Sequence, residues 1–207
     1  MNIQSDIGLL YPYIRIINAS KNYEPMVYKF NTVIIPKFQS MQVSGYIKCQ
    51  RGPTTFRVSE KNSEFSDASM GINLEIGKVY DICILGEKGN ISLFAIEDNV
   101  SKKNLSYGHL RICNLLNGES KRSFFANNKC FAADFSYLDI SDYIEFSPGE
   151  YEFGMGNINS SNYKKLGTYK MKPGKYNSIF IIASDKNNAS EECIFTIDAG
   201  SSSGFYL

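Results

Sequence analysis

One nine-residue pattern recurs in this chain. Ser44 to Gly52 reads SGYIKCQRG and Ser141 to Gly149 reads SDYIEFSPG, with Tyr46 aligned to Tyr143, Ile47 to Ile144 and Gly52 to Gly149. The two stretches lie close to half a chain length apart, which predicts two copies of one domain, each of about 100 residues. The content of hydrophobic residues, 43% of the 207, is enough to fill two cores.

The rest of the chain follows the same repeat. Tyr13 to Asn18 (YIRIIN) is a β-branched run closed by Asn-Ala-Ser, and His109 to Asn114 (HLRICN) is its counterpart. Pro25 to Phe30 and Thr32 to Phe38 predict a hairpin about Asn31. Ser123 to Ala126 and Cys130 to Phe135 predict another about Asn127-Asn128, a pair suited to positive φ. Met41 to Cys49 and Ser136 to Phe146 alternate as strands with one buried face, and Gly52 and Pro148-Gly149 turn the chain into Thr54 to Val58 and Tyr151 to Met155. After a polar loop in each copy come Ile72 to Ile76 and Tyr169 to Pro173. The nearly continuous apolar runs Val79 to Leu85 and Tyr176 to Ile182 then predict central strands covered on both faces. Ile91 to Ile96 and Cys193 to Ile197 close the copies.

About seven short strands per copy, with turn signals between them and no sustained helical period, predict an all-β chain. The expected architecture is two tandem antiparallel Ig-like, Greek-key β-sandwich domains related by internal duplication. The boundaries read as residues 1–100 for the first sandwich, a polar linker over 101–106 (SKKNLS), 107–199 for the second, and a flexible tail over 200–207 (GSSSGFYL).

Charge excludes some partners. There are 22 basic and 21 acidic residues, divided 12 and 10 up to Asn104 and 10 and 11 after it. Neither half carries the basic excess that phosphate-backbone binding requires, so nucleic acid is not an expected partner. The amino terminus lacks a basic n-region and interrupts its apolar run with Asp6, Gly8 and Pro12, so it does not read as a secretory signal. No stretch approaches the roughly 20 apolar residues of a membrane helix, so membrane insertion is not expected.

The five cysteines show no C-x-x-C spacing. Cys49 aligns with Phe146, Cys83 with Phe180 and Cys113 with Ile17, so these three are expected to be buried thiols acting as small hydrophobes. Cys130 and Cys193 have no such counterparts and are the candidates for intermolecular cross-links.

No catalytic signature appears: there is no G-x-S-x-G elbow, H-E-x-x-H motif or Walker loop. The one histidine, His109, aligns with Tyr13 at the start of a strand, where packing is the expected role. Along a strand, its side chain would lie about 13 Å from that of Cys113, too far for a nucleophile pair. The loops Asn157-Ile158-Asn159 and Asp185-Lys186-Asn187-Asn188 offer oxygen atoms but lack the spacing of an EF-type calcium site. No enzyme activity and no cofactor is therefore expected. Tyr and Phe number 14 each with no Trp, and their alternating or aligned positions, as at Tyr46 and Tyr143, point to core packing.

The order YIRIINAS, a hairpin, SGYIKCQRG, LEIGKVYDICILG and LFAIED resembles the tandem DUF4397 domains of bacteria. The second copy retains SDYIEFSPGEY and the first retains Gly77-Lys-Val-Tyr80. The acidic strand common in that family is replaced here by Asn22 to Tyr28 and by Asn117 to Phe124. The resemblance implies the sandwich fold and transfers no assigned activity. Signal-less forms resemble those of spore-forming Firmicutes of clostridial type.

Two functions are expected from these readings. The first is a non-enzymatic structural or assembly protein of a bacterial surface layer, the spore coat or cell envelope, made in the cytoplasm and deposited on the surface. Its partners would be copies of itself or other surface-layer proteins, with Phe205, Tyr206 and Leu207 as a candidate docking peptide. The alternative is a ligand-binding module for a surface polysaccharide.

Overall fold

The computed structural model describes residues 10–61, 63, 65–98, 104–118, 120–157, 163–183 and 191–199. The chain divides into two compact units, whose described residues are 10–98 and 104–199. The first holds β1 (Tyr13–Asn18), β2 (Met26–Lys29), β3 (Thr32–Ile35), β4 (Ile47–Lys48), β5 (Gly52–Ser59), β6 (Ala68–Leu74), β7 (Val79–Glu87) and β8 (Asn90–Glu97). The second holds β9 (Gly108–Asn114), β10 (Arg122–Ala126), β11 (Lys129–Phe135), β12 (Ile144–Phe146), β13 (Gly149–Gly156), β14 (Tyr163–Met171), β15 (Tyr176–Ala183) and β16 (Glu191–Ile197). No helix among the described residues is long and apolar enough to cross a membrane.

Each unit is a sandwich of two four-stranded sheets. In the first their orders are β4-β1-β7-β8 and β3-β2-β5-β6, and in the second β12-β9-β15-β16 and β11-β10-β13-β14. The duplication is therefore complete strand by strand. One core forms between the sheets of each unit, around Ile14, Ile16, Phe56, Val58 and Ile82 in the first. Leu110, Ile112, Phe153, Met155 and Ile179 fill the second. The aligned Phe56 and Phe153 are each buried to 1% exposure or less, which stabilises each sandwich by about 1.5–3 kcal/mol per ring.

Most strand pairs are antiparallel, but β1 runs parallel to β7 and β9 parallel to β15. The chain crosses to the other sheet after β1, returns once for β4, crosses again for β5 and β6 and comes back as β7, so the central pair need not be joined by a hairpin. Val79 to Leu85 and Tyr176 to Ile182 are buried at every position, as their apolar runs predict.

Two strand expectations are corrected. Met41 to Cys49 is not one strand: Met41 takes φ 64°, Val43 makes a single bridge to Ile17, and regular pairing is confined to Ile47–Lys48. The second copy repeats the break, with Leu138 at φ 67°, a bridge from Ile140 to Cys113, and β12 only three residues long. The alternation there follows a crossing segment that touches β1 or β9 at intervals. The sixth strand also begins earlier than its apolar residues suggest, at Ala68 and Tyr163, because small and polar side chains occupy its outer face. The Asn127-Asn128 turn has the expected positive φ, 47° and 65°.

Candidate functional site

The duplicated tyrosines lie beside a buried arginine. In the first domain Arg15 on β1 faces Asp81 on β7 and donates to its carboxylate from Nε at 2.8 Å and Nη2 at 2.9 Å. The Arg15 guanidinium lies 5.1 Å from the centre of the Tyr46 ring. In the second domain Arg111 faces Ser178, donating to its hydroxyl at 3.0 Å. Ser178 donates to Asp198 at 2.7 Å, Tyr143 donates to the same carboxylate oxygen at 2.9 Å, and the Arg111 guanidinium lies 5.1 Å from the Tyr143 ring centre. A cation thus lies against each of the duplicated rings; Tyr143 is buried, as its core reading expects, whereas Tyr46 is only partly buried. Both arginines are nearly fully buried, and a buried charge needs such partners.

Chemically these clusters are structural. Ser178, whose hydroxyl donates to Asp198, is itself fully buried and out of reach of a substrate, and among the described residues no three His, Cys, Asp or Glu side chains converge as a metal site would require. His109 is buried on β9, with Nε2 3.1 Å from the Asn104 carbonyl oxygen and its ring stacked on Tyr176. It holds a packing position.

The accessible chemistry lies on the other sheet of each sandwich. In the first domain Val33, Tyr28, Arg57 and Ser69 form one row across β3, β2, β5 and β6. Arg57 lies over the Tyr28 ring, 5.0 Å from its centre, and donates to the Phe30 carbonyl and the Ser66 hydroxyl. At the matching place in the second domain Phe125 pairs with Gly154, and the Tyr163 ring stacks on Phe125 at 5.3 Å. Gly154 is required there because a Cβ would meet the Tyr163 ring at 2.0 Å. Tyr163 donates its hydroxyl to Asn128, with Glu152 3.3 Å away, and Lys165 pairs with Glu152 at 2.6 Å. That lysine holds the Glu152 carboxyl below its usual range.

The outer strands of these sheets differ. β14 carries Lys164, Lys165 and Lys170, and its pairing with β13 slips by one residue after Phe153. β6, its counterpart, reads ASMGINL: it has no charged residue and no proline, and it pairs with β5 in unbroken register from Gly52↔Leu74 to Val58↔Ala68. Ala68, Met70 and Ile72 pack on the core, while Ser69, Gly71 and Asn73 are exposed. Charges, prolines and bulges are the devices that protect a sheet edge from adding another strand. The second domain has them at β14, and the first lacks them at β6. Sequence reasoning missed this edge by starting the strand at Ile72, although Ala68, Met70, Ile72 and Leu74 mark the period of two.

Of the residues singled out in the sequence, Cys49, Cys83 and Cys113 are buried, and Cys49 occupies the core position of Phe146. Cys130 is exposed on β11. Cys193 is half-buried on β16 against the second core, 3.7 Å from the Tyr169 hydroxyl, and burial pushes its thiol up. The structure does not bring Cys130 and Cys193 into a common site. The candidate docking peptide Phe205, Tyr206, Leu207 lies outside the described residues, as do Ile158, Asn159 and the loop 185–188.

No curated protein matches the chain. Among solved structures it is similar to one described as alpha-glucan binding by a streptococcal virulence factor, at 10% identity and TM-score 0.27, over 87% of this chain and 96% of that one. It is also similar to one described as alpha-glucan recognition by family 41 carbohydrate-binding modules from streptococcal virulence factors, at 12% identity and TM-score 0.27, over 81% and 92% of the two chains. The family model described as domain of unknown function, DUF4397, matches residues 12–118, from the first strand of the first domain through the strand that opens the second, and the chain belongs to that family.

Proposed function

We propose that this chain is a non-enzymatic assembly protein of a bacterial surface layer, the spore coat or cell envelope, joining its neighbours through sheet edges. The observation that carries this reading is β6, an uncharged, unbulged edge whose duplicate β14 is protected by three lysines and a register slip. Unpaired peptide groups along such an edge bind an added strand by the same hydrogen bonds that join strands within a sheet. The spore coat enters through the family resemblance. Fractionation of the source cells and their spores, probed with an antibody to this chain, tests it. Recovery in the detergent-resistant surface or coat fraction is the expected result. Recovery only in the soluble contents of growing cells would overturn it.

The second reading, a module that binds a surface polysaccharide, is favoured by the Phe125 and Tyr163 stack. A ring flanked by the Asn128 amide, the Glu152 carboxylate and the Lys165 ammonium offers a flat apolar surface for a sugar ring and polar groups for its hydroxyls. A glycan array, with Tyr163→Ala as the control, tests it: binding lost in the variant supports it, and a blank array removes it.

A further inference from the structure

We infer that two copies of this chain pair through β6, antiparallel about Gly71, to join two four-stranded sheets into one of eight strands. This rests on the reading that the chain assembles through its sheet edges, and it names the partner at one of them. Among the described residues β6 is paired only with β5, so its other side is an edge. A two-fold axis at Gly71 sets Met70 against Ile72 of the second copy, Ser69 against Asn73 and Ala68 against Leu74. Every facing pair is then neutral, apolar faces apolar on the core side, and small polar groups meet on the outer side. Gly71 has open space where a side chain would stand, so nothing on the outer face obstructs the axis.

Just beyond the strand Asp67 and Glu75 of opposite copies come level, so the pairing is confined to Ala68–Leu74. Asp67, just before the strand, turns its carboxylate back to the Tyr23 hydroxyl and the Glu60 amide. The same operation on β14 about Gly167 would set Lys164 against Lys170 of the second copy, and like charges directly opposite destabilise a strand pair.

The remaining edges are poorer templates. β3 has four residues and a register slip, β4 has two residues, β12 has three, β11 has two slips and carries Lys129 and Asp134, and β16 carries Glu191 and Glu192. β8 is long and regular, but Ile96 on its outer face is already buried. β6 alone of these combines length, regular register, neutrality and an exposed outer face. Self-pairing there makes an isologous contact, which closes as a dimer.

Sedimentation velocity of the full chain over about a hundredfold range of concentration is the test. The expected result is a rise from the monomer mass to twice that mass. Ser69 faces Asn73 across the axis, so S69K/N73K and S69E/N73E should each stay monomeric, and an equimolar mixture of the two should recover the doubled mass. Recovery on mixing also shows that both variants are folded. Hydrogen exchange on the unaltered chain gives a second measure, with the β6 amides slowing as concentration rises.

A wild-type chain that stays monomeric throughout, or a dimer unmoved by S69K/N73K, overturns self-pairing. So does protection that rises at another edge and not at β6. A monomer that nonetheless fractionates with the surface layer would retire the self-pairing alone and leave the assembly reading standing. A self-pairing chain found only in the soluble cell contents would do the reverse.

Discussion

Asn18 and Asn114 occupy the same place, the last residue of the first strand in each domain, and each directs its amide nitrogen at two backbone carbonyls of the segment that follows. Asn18 donates to the carbonyls of Tyr23 at 2.9 Å and Phe38 at 2.8 Å, and Asn114 to those of Phe135 at 3.4 Å and Ser136 at 2.9 Å. The backbone of each also brackets the crossing segment: Asn18 exchanges bonds with Gln42 and Met41, and Asn114 with Asp139 and Leu138. This clamp holds Met41 and Leu138 at positive φ, and so fixes where the chain crosses back toward the first strand.

Replacing Asn18 with Ala should therefore destabilise the first domain by about 1–3 kcal/mol, because buried carbonyls lose their donor. Asn18→Asp should cost more, since its carboxylate turns an acceptor toward acceptors. Asn114→Ala should cost less than Asn18→Ala, one of its two bonds being stretched to 3.4 Å. Urea unfolding of the three variants decides the order, and equal midpoints for Asn18→Ala and wild type would refute the clamp.

Gly154 lies beneath the Tyr163 ring, and there is no room there for another carbon. Gly154→Ala should push Tyr163 off Phe125 at about 1–3 kcal/mol, the usual cost of overpacking. The near-ultraviolet signal of the stack should fall while the far-ultraviolet strand signal stays. In the first domain Arg57 holds the matching position, so Arg57→Ala should leave the fold intact.

The thiols should separate by exposure. Cys130 should react with a chromogenic disulfide reagent as a single fast phase, lost in Cys130→Ser. Cys193 should follow slowly, because burial favours its neutral thiol over the reactive thiolate, and its rate should keep rising with pH beyond the range where an ordinary thiol has already ionised. The buried Cys49, Cys83 and Cys113 should react only on unfolding. Two fast thiols in the native chain would contradict the placement of Cys193.

Much of this fold is written locally. Phe56 and Phe153, Val79 to Leu85 and Tyr176 to Ile182 declare themselves by periodicity and by recurrence, and Cys49 declares its burial by standing where the other copy has Phe146. The parts that stayed hidden depend on register between distant strands. Tyr46 could be assigned to a cation only once Arg15 was placed beside it, and the parallel pairing of β1 with β7 is what brings Asp81 to the same spot. The β6 edge escaped notice for a different reason. Ser69, Gly71 and Asn73 resemble loop residues, and an edge strand with an exposed face has the composition of a loop on one side and of a core on the other.

The two arginine clusters answer one problem in two ways, and they should fail differently. Asp81 neutralises Arg15 directly, whereas in the second domain Ser178 stands between Arg111 and the carboxylate of Asp198. Asp81→Ala leaves a guanidinium buried without that anion and should cost about 3–5 kcal/mol. Ser178→Ala removes one neutral link while the cation and the carboxylate both remain, and should cost about 1–3 kcal/mol. The double variant Arg15→Met with Asp81→Leu should regain most of what Asp81→Ala loses, since an apolar pair of similar volume removes the need to solvate either charge. Urea midpoints of the four proteins, wild type included, measure this. If the double variant is as unstable as Asp81→Ala, the ion pair is not what sets the cost at this position.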